Sequence, residues 1–419
     1  MSDDKFIIQK SNPLRGEVKI SGSKNSVLPI MAAALLTRET CVIRDVPQLS
    51  DVYVLETVLR QLNTECSYDD NTLRICAEKT AQNALIDCDL IGQIRASFLV
   101  MGALLARFCE CKIPLPGGCT IGTRPIDLHL KGFAAMGAVI DCSHGCVYAC
   151  AKNGLSGARI YLDFPSVGAT ENIMIAAATA DGTTIIENCA EEPEIVDLAN
   201  FLNSCGANVR GAGTDAIKIK GVPYLHGCDH TIIPDRIEAG TFMIAAAVTR
   251  GNILLQNIVP DHLKPITAKL KETGVLIHEE QDGIRVIGEN PLNGVDIKTL
   301  PYPGFPTDLQ APFMSLLASA QGNSVVTETV FENRFLHVSE FKRMGAQIKI
   351  DSRTAIIDGV QALTGAPVRA TDLRAGAALI LNALAADGQT EISGVRHIDR
   401  GYCRIEDKFM KLGARIRRV

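Results

Sequence analysis

The stretch Phe341-Lys342-Arg343-Met344-Gly345-Ala346-Gln347-Ile348 reads as the end of an amphipathic helix, a glycine stop and the start of a strand. Glycine suits the stop because it adopts the left-handed conformation at a helix end without steric cost. The same passage recurs at Met136-Gly137-Ala138-Val139, Cys205-Gly206-Ala207-Asn208-Val209, Thr273-Gly274-Val275 and Leu412-Gly413-Ala414-Arg415-Ile416. Leu62-Asn63-Thr64 is a weaker first copy, in which Asn replaces the glycine and also tolerates that conformation. Successive stops are about 70 residues apart from Asn63 to Gly413, so one unit fills the chain six times.

Each unit opens with an apolar, alanine-rich helix: Ser26 to Leu36, Ser97 to Ala106, Glu171 to Thr179, Gly240 to Val248, Leu309 to Ala318 and Ala375 to Ala386. A β-rich run follows, as at Thr183 to Glu187 and Asn252 to Gln256, and then the second helix that leads to the stop. Two alternating strands come after it, as at Ala216 to Lys220 or Ala355 to Asp358, and then one more, as at Arg159 to Asp163 or Val295 to Thr299. The unit reads βαβαββ. The sixth copy ends at Val419 without its closing strand, while Phe6 to Gln9 and Glu17 to Ser21 are strands with no unit of their own. These amino-terminal strands are therefore expected to complete the carboxy-terminal half, with the chain crossing over near Gly22 and near Ile232. The repeat alone permits two lobes of three units or one ring of six; a substrate cleft favours two lobes.

A chain of 419 residues, 47 % hydrophobic and 21 % charged, has enough apolar side chains for two sizeable cores. Trp is absent and aromatics are 5 %, so Ala, Ile, Leu and Val must build them. A formal net charge of -5 argues against nucleic acid or an anionic membrane as the main partner. Met1 to Phe6 shows no leader-like pattern and no apolar stretch approaches a membrane span, which points to a cytoplasmic globular protein. The 14 cysteines form neither Cys-x-x-Cys pairs nor zinc-like His spacings, so free thiols are expected throughout.

Pro114 to Arg124 holds three glycines and two prolines in eleven residues and must be a loop. Its thiol, Cys119, has Lys112 before it and Arg124 after it, and cationic neighbours favour the thiolate. Elsewhere, cations stand at helix starts, against the helix dipole: Lys24, Arg95, Arg236 and Arg374. Pro29 places the first of these helix starts close by. Each cation alone has a plain explanation as a solvated charge or the partner of a nearby acid such as Asp372 or Glu238. Four at equivalent positions, with helix N–H groups, outline an anion site. Arg124, Arg334 and Arg400 follow the β-rich runs of units two, five and six, and a guanidinium fork suits phosphate or carboxylate oxygens. Asp308 takes the helix-start place that is basic elsewhere. It is either an acid that suits the dipole or a general base faced by those cations.

Ser21-Gly22-Ser23-Lys24-Asn25, Pro116-Gly117-Gly118-Cys119-Thr120-Ile121-Gly122, Ser166-Val167-Gly168-Ala169-Thr170, Pro306-Thr307-Asp308 and His397-Ile398-Asp399-Arg400-Gly401 together resemble the UDP-N-acetylglucosamine 1-carboxyvinyltransferase family of enolpyruvyl transferases. The resemblance runs from about Phe6 to the carboxy terminus. It implies a two-domain inside-out α/β barrel with three βαβαββ repeats per domain, residues 24–231 in one lobe and 1–23 with 232–419 in the other, and substrates between them. The implied partners are phosphoenolpyruvate and UDP-N-acetylglucosamine, with no metal and no cofactor. The implied reaction moves the enolpyruvyl group to the sugar 3'-hydroxyl and releases phosphate, opening peptidoglycan synthesis.

By the same resemblance Cys119 is the acid on its loop and Asp308 takes the hydroxyl proton. Lys24, Arg124 and Arg400 bind the phosphate and carboxylate of phosphoenolpyruvate, assisted by Arg374 and Arg334. Asn25 and Arg95 match sugar-nucleotide or closure contacts. Arg124, Pro125, Ile126, Asp127 and Leu128, then Phe164, Pro165, Ser166, Val167 and Gly168, and Val330 match the nucleotide pocket, where Ser166 and Gly168 are expected to offer backbone donors to the diphosphate. Phe164 stands where some relatives have lysine, and Cys403 where glutamate is frequent. Two other readings stay open: a shikimate-type enolpyruvyl transferase, whose lysine-serine pattern is replaced here by Lys24-Asn25, and a weakly catalytic UDP-sugar-binding paralogue.

Overall fold

The computed structural model describes residues 4–81, 94–115 and 126–419. The repeat is present throughout them. Every stop residue has positive φ: 60° at Asn63, 94° at Gly137, 98° at Gly206 and Gly274, 89° at Gly345 and 95° at Gly413. A hairpin follows each of the first five stops, as where Gln347–Asp351 pairs antiparallel with Thr354–Asp358, and after Gly413 the single strand Arg415–Arg418 pairs with Phe6–Gln9 in its place. The strand after the first helix of the unit joins that hairpin antiparallel, and the opening strand adds to it in parallel, as Arg159–Tyr161 does to Thr183–Glu187. Five sheets have four strands in this arrangement, and the sixth has three among the described residues.

The contacts divide the described chain into two compact units, one of residues 4–21 and 234–419, the other of 22–115 and 126–233. In the first, the helices Arg236–Val248, Gln310–Leu317 and Leu373–Ala385 pack against one another. All residues from Ile237 to Ala247 and from Arg374 to Leu384 are buried. A helix apolar on every side has to be interior, and that is why these segments are so rich in alanine. Sheets surround the helices, which makes the barrel inside-out. Phe242, Phe313, Phe409 and Leu379 fill the space between the layers, each fully buried, at roughly 1.5–3 kcal/mol of burial per large side chain.

The unattached strands find their places here. Phe6–Gln9 lies between Gln389–Ser393 and Arg415–Arg418, antiparallel to both, with Ile8 opposite Thr390 and Ile416. Arg15–Lys19 runs parallel to Asn252–Gln256. The carboxy-terminal half is thus completed by the amino terminus.

The second unit repeats the plan with Lys24–Ala33, Val100–Phe108 and Val167–Ala177 as central helices. Its first sheet is completed by Asp229–Thr231, parallel to Thr40–Arg44. Val100–Phe108 and Val167–Ala177 approach closely at Gly102, whose N–H donates to Asn172 Oδ1 at 2.9 Å. A Cβ at Gly102 would stand 2.5 Å from the Asn172 carbonyl oxygen.

Three local readings change. The first helix begins at Lys24, which puts Pro29 past the first turn, in a helix interior that usually excludes it. The packing on all sides outweighs the lost hydrogen bond. Asp308 lies in a 3-10 turn, Thr307–Leu309, ahead of the helix proper. The strand expected from Val295 to Thr299 is reduced to Ile297–Lys298.

Gly102→Ala tests the helix approach. Helix propensity alone favours alanine by about 1 kcal/mol, so a net loss of about 1–3 kcal/mol in urea unfolding is the expected signature of the clash with Asn172. A stabilised variant would show that the two helices have room to part.

Candidate active site

In the unit of residues 4–21 and 234–419, three of the expected residues meet. Asp372 caps the helix Leu373–Ala385, its Oδ1 accepting from the N–H groups of Arg374 at 3.0 Å and Ala375 at 3.1 Å. Arg374 leaves that first turn and donates to Asp308 Oδ2 at 2.8 Å, while Arg334 donates to Asp308 Oδ1 at 2.8 Å. Both guanidiniums are 4 % exposed and the Asp308 side chain is 26 % exposed. One carboxylate therefore bridges two buried cations and keeps an open side.

Aromatic rings complete the cradle. Arg374 stands 5.6 Å from the Tyr402 ring centroid and Arg334 5.5 Å from that of Phe331. Burial works to strip the proton from Arg374, but Asp308, Tyr402 and Asp235 outweigh it and push its pKa up. The acid named as a neighbouring partner, Asp372, is thus a cap rather than the ion pair. Glu238 likewise pairs with Lys408, at 2.6 Å, and accepts from Ser21 N–H at 2.7 Å.

Glu328 carries no local signal in the sequence, yet it organises this region. It is 1 % exposed. Its Oε1 accepts from Thr299 Oγ1 and Val330 N–H, both at 2.8 Å, and from Phe331 N–H at 3.1 Å, and its Oε2 accepts from Thr307 Oγ1 at 2.9 Å. The residue before Asp308 and the loop that leads from Val330 to Arg334 are thereby fastened to one side chain. Arg400 is partly buried in the turn before Tyr402.

His337 follows Arg334 by three residues and precedes the helix Val338–Arg343. It is 1 % exposed and packs its ring edge-on to Phe341 at 4.9 Å. Burial pushes its pKa down to about 4, with Asp372 opposing and Arg334 adding to the shift.

In the unit of residues 22–115 and 126–233, Lys24 opens its helix and reaches Asp51 Oδ2 at 3.2 Å. Asp51 lies in the first turn of Ser50–Gln61 and its side chain is 4 % exposed. The neighbouring Asn25 is partly buried, and Ser26 donates to Asp197, which also meets His230 Nε2 at 2.9 Å.

The two nucleotide segments come together through their helices. Ile126 precedes Asp127–Ala135, with Asp127 and Leu128 in its first turn. His129 from that helix meets Asn172 at 3.0 Å, and its ring would stand 3.3 Å from a Cβ at Gly168. Ser166 caps Val167–Ala177 through Ala169 N–H. Its own N–H donates to the Phe164 carbonyl at 2.7 Å, and Gly168 lies in the first turn of that helix. Phe164 is 44 % exposed, and Pro165, Val167 and Gly168 are partly buried. Cys119, Arg124 and Pro125 lie outside the described residues, as does the side chain of Arg95.

A surface cavity of about 500 Å³ on the first unit, lined by Pro265, Lys269, Asp296, Lys298, Phe305 and Val325, contains none of these residues. Among the described residues no helix is long and apolar enough to cross a membrane.

The six sheets around two sets of buried helices, with a carboxylate held between Arg374 at a helix start and Arg334 from a turn, can be set beside known proteins. The family model described as EPSP synthase (3-phosphoshikimate 1-carboxyvinyltransferase) matches residues 8–409. The chain is 26 % identical to the enolpyruvyl transferase NikO from Streptomyces tendae, with a TM-score of 0.89 over 100 % of this chain and 99 % of that one. It is 58 % identical to UDP-N-acetylglucosamine 1-carboxyvinyltransferase 1 of Caldanaerobacter subterraneus subsp. tengcongensis, and 56 % identical to UDP-N-acetylglucosamine 1-carboxyvinyltransferase 2 of Carboxydothermus hydrogenoformans, each over 99 % of both chains. The chain therefore belongs to the EPSP synthase family of carboxyvinyltransferases, and within it to the UDP-N-acetylglucosamine 1-carboxyvinyltransferases.

Two outcomes follow from the geometry. Asp308→Ala leaves two buried guanidiniums without their counter-charge and should lower stability by about 3 kcal/mol in urea unfolding. Asp308→Asn, which keeps the shape and an acceptor, should cost less. For His337, the folded pKa lies below the ordinary value of 6.5, so the unfolded chain binds the proton more readily. Its contribution is full above pH 6.5 and is lost as pH falls from 6.5 towards 4, by up to about 3 kcal/mol. His337→Gln should flatten that part of the stability profile.

Proposed function

We propose that the chain transfers the enolpyruvyl group of phosphoenolpyruvate to the 3'-hydroxyl of UDP-N-acetylglucosamine with release of phosphate, the first committed step of peptidoglycan synthesis. The observation that carries this reading is the full-length likeness to relatives that bear that activity in their names. The domain model that goes with it has residues 24–231 as one lobe and 1–23 with 232–419 as the other, and the reaction draws on residues of both.

The chemistry is addition followed by elimination. Cys119 gives its proton to the methylene carbon of phosphoenolpyruvate, which makes C2 electrophilic. The sugar hydroxyl attacks C2 and passes its proton to Asp308, forming a tetrahedral adduct. Loss of a methyl proton and of phosphate restores the double bond in the product. The Asp308 carboxylate suits the hydroxyl step because two arginines fix its orientation and leave one side accessible.

Lys24, Arg124 and Arg400 hold the phosphate and carboxylate as charge develops, assisted by Arg334 and Arg374. Asn25, Arg95 and Val330 contact the sugar nucleotide. The segments 124–128 and 164–168 receive its nucleotide end, where the first turn of Val167–Ala177 presents N–H groups to the diphosphate. Phe164, exposed and apolar, takes the place of a charge there.

The family description that names 3-phosphoshikimate supports a second acceptor reading. Phosphate release from phosphoenolpyruvate separates the two. Release with UDP-N-acetylglucosamine and not with shikimate 3-phosphate is expected, and the reverse would move the activity to the shikimate branch. Binding of the nucleotide sugar with no release under either acceptor would favour a non-catalytic paralogue. Cys119→Ser should keep nucleotide binding and lose most turnover, and Asp308→Asn should lower kcat by about 10²–10⁴. Full activity in the cysteine variant would remove Cys119 from the mechanism.

A further inference from the structure

Cys41, Cys205 and Cys228 are far apart in the sequence and converge in the unit of residues 22–115 and 126–233, where their three sulfurs all lie within 4.8 Å of one another. Cys41 points inward from the strand Thr40–Arg44 and is fully buried. Cys205 terminates the helix Pro193–Ser204 and is 2 % exposed. Cys228 precedes the strand Asp229–Thr231 and is partly buried. All three are free thiols, and Cys205 Sγ lies 3.3 Å from Cys228 Sγ.

The backbone fixes the three arms. Val42 N–H donates to the Cys228 carbonyl at 2.8 Å, Cys205 N–H to the Phe201 carbonyl at 3.0 Å, and His226 N–H to the Cys205 carbonyl at 2.9 Å. A buried cysteine usually packs as a small apolar side chain; three whose sulfurs face one another do not fit that description.

We infer that Cys41, Cys205 and Cys228 form a binding site for a thiophilic metal ion of the Cu(I) class. Three sulfurs around one ion at about 2.3 Å require mutual separations of about 4.0 Å in a trigonal plane. The observed group, with one pair at 3.3 Å and all within 4.8 Å, needs only small side-chain adjustments to reach it. The donor set decides the ion. Thiolates select Cu(I) and Zn(II) among the common metals, but structural zinc almost always takes four ligands. Among the described residues the cluster contains three, all sulfur. On binding, thiol protons pass to solvent, S–metal bonds replace S–H bonds, and the copper remains Cu(I). The ion would join the first strand, the last helix and the last strand of the unit, stapling the place where its two chain ends meet.

The full chain, reduced and kept anaerobic, should be loaded with Cu(I) and separately with Zn(II), then desalted against a competing chelator. One equivalent of Cu(I) per chain should be retained, with three sulfurs at the metal by X-ray absorption, and Tm should rise. Cys228→Ser and Cys205→Ser should lose that equivalent and the rise in Tm. Cys142→Ser, which removes an exposed thiol elsewhere, should keep both. Cys228 is partly exposed, so its variant should fold, as circular dichroism would verify, and its turnover should equal that of the parent. The inference is overturned by equal copper retention in Cys228→Ser, by no retained copper, by zinc retained in its place, or by a Cys205–Cys228 disulfide in the reduced preparation.

Discussion

Helix starts that come together concentrate positive potential, and the unit of residues 4–21 and 234–419 is arranged around that constraint. Asp235 caps Arg236–Val248, accepting from Ile237 and Glu238 N–H groups, and Asp372 caps Leu373–Ala385. Asp308 stands ahead of Gln310–Leu317. Three acids at three helix starts answer the dipoles. Arg374, placed among them, feels both Asp308 and Asp235 and stays charged in spite of its burial. Since the helices are buried along their length, their ends are where they can present polar groups, and the polar chemistry of the unit collects there.

The other unit resolves the same constraint differently. Ser23 precedes Lys24–Ala33 without a side-chain cap bond, and Ser166 caps Val167–Ala177 with a hydroxyl rather than a carboxylate. Lys24 then adds a cation that meets Asp51, from a second helix, at 3.2 Å. A helix start without a carboxylate keeps its attraction for anions. The two units share a repeat and basic residues at their helix starts, yet the residues ahead of those helices are acids in one, Asp235 and Asp372, and serines in the other, Ser23 and Ser166. Different local charge at equivalent helix starts thus arises from one scaffold.

The fold was legible because its signals are local. A glycine stop, a hairpin and an alanine-rich helix each depend on a few adjacent residues, and the left-handed φ values fall on the six positions that the repeat names. The boundaries were less legible. Lys24 and Val167 belong to their helices although polar or glycine residues follow them, because packing on all sides outweighs local propensity. For the site, residue types could be read and pairings could not. Arg374 has Asp372 two residues away, but its partner is Asp308, 66 residues distant. Glu328 gathers groups from Thr299 to Phe331, and no spacing announces it.

Long-range pairing also explains why an internal repeat need not make six equal sites. Repeats bring equivalent positions to equivalent ends of the fold, so a substitution in one copy meets unaltered partners from the others. Asp308 in place of a cation gains Arg374 from the next copy as its counter-charge, and Arg334 from its own. Cys205 ends one copy's second helix where Met136, Thr273, Met344 and Leu412 end theirs, and it meets Cys41 and Cys228 only because the strand that closes the first sheet comes from residues 229–231. A change at one repeat position thus acquires its chemistry from the chain crossing, and function concentrates where the copies differ.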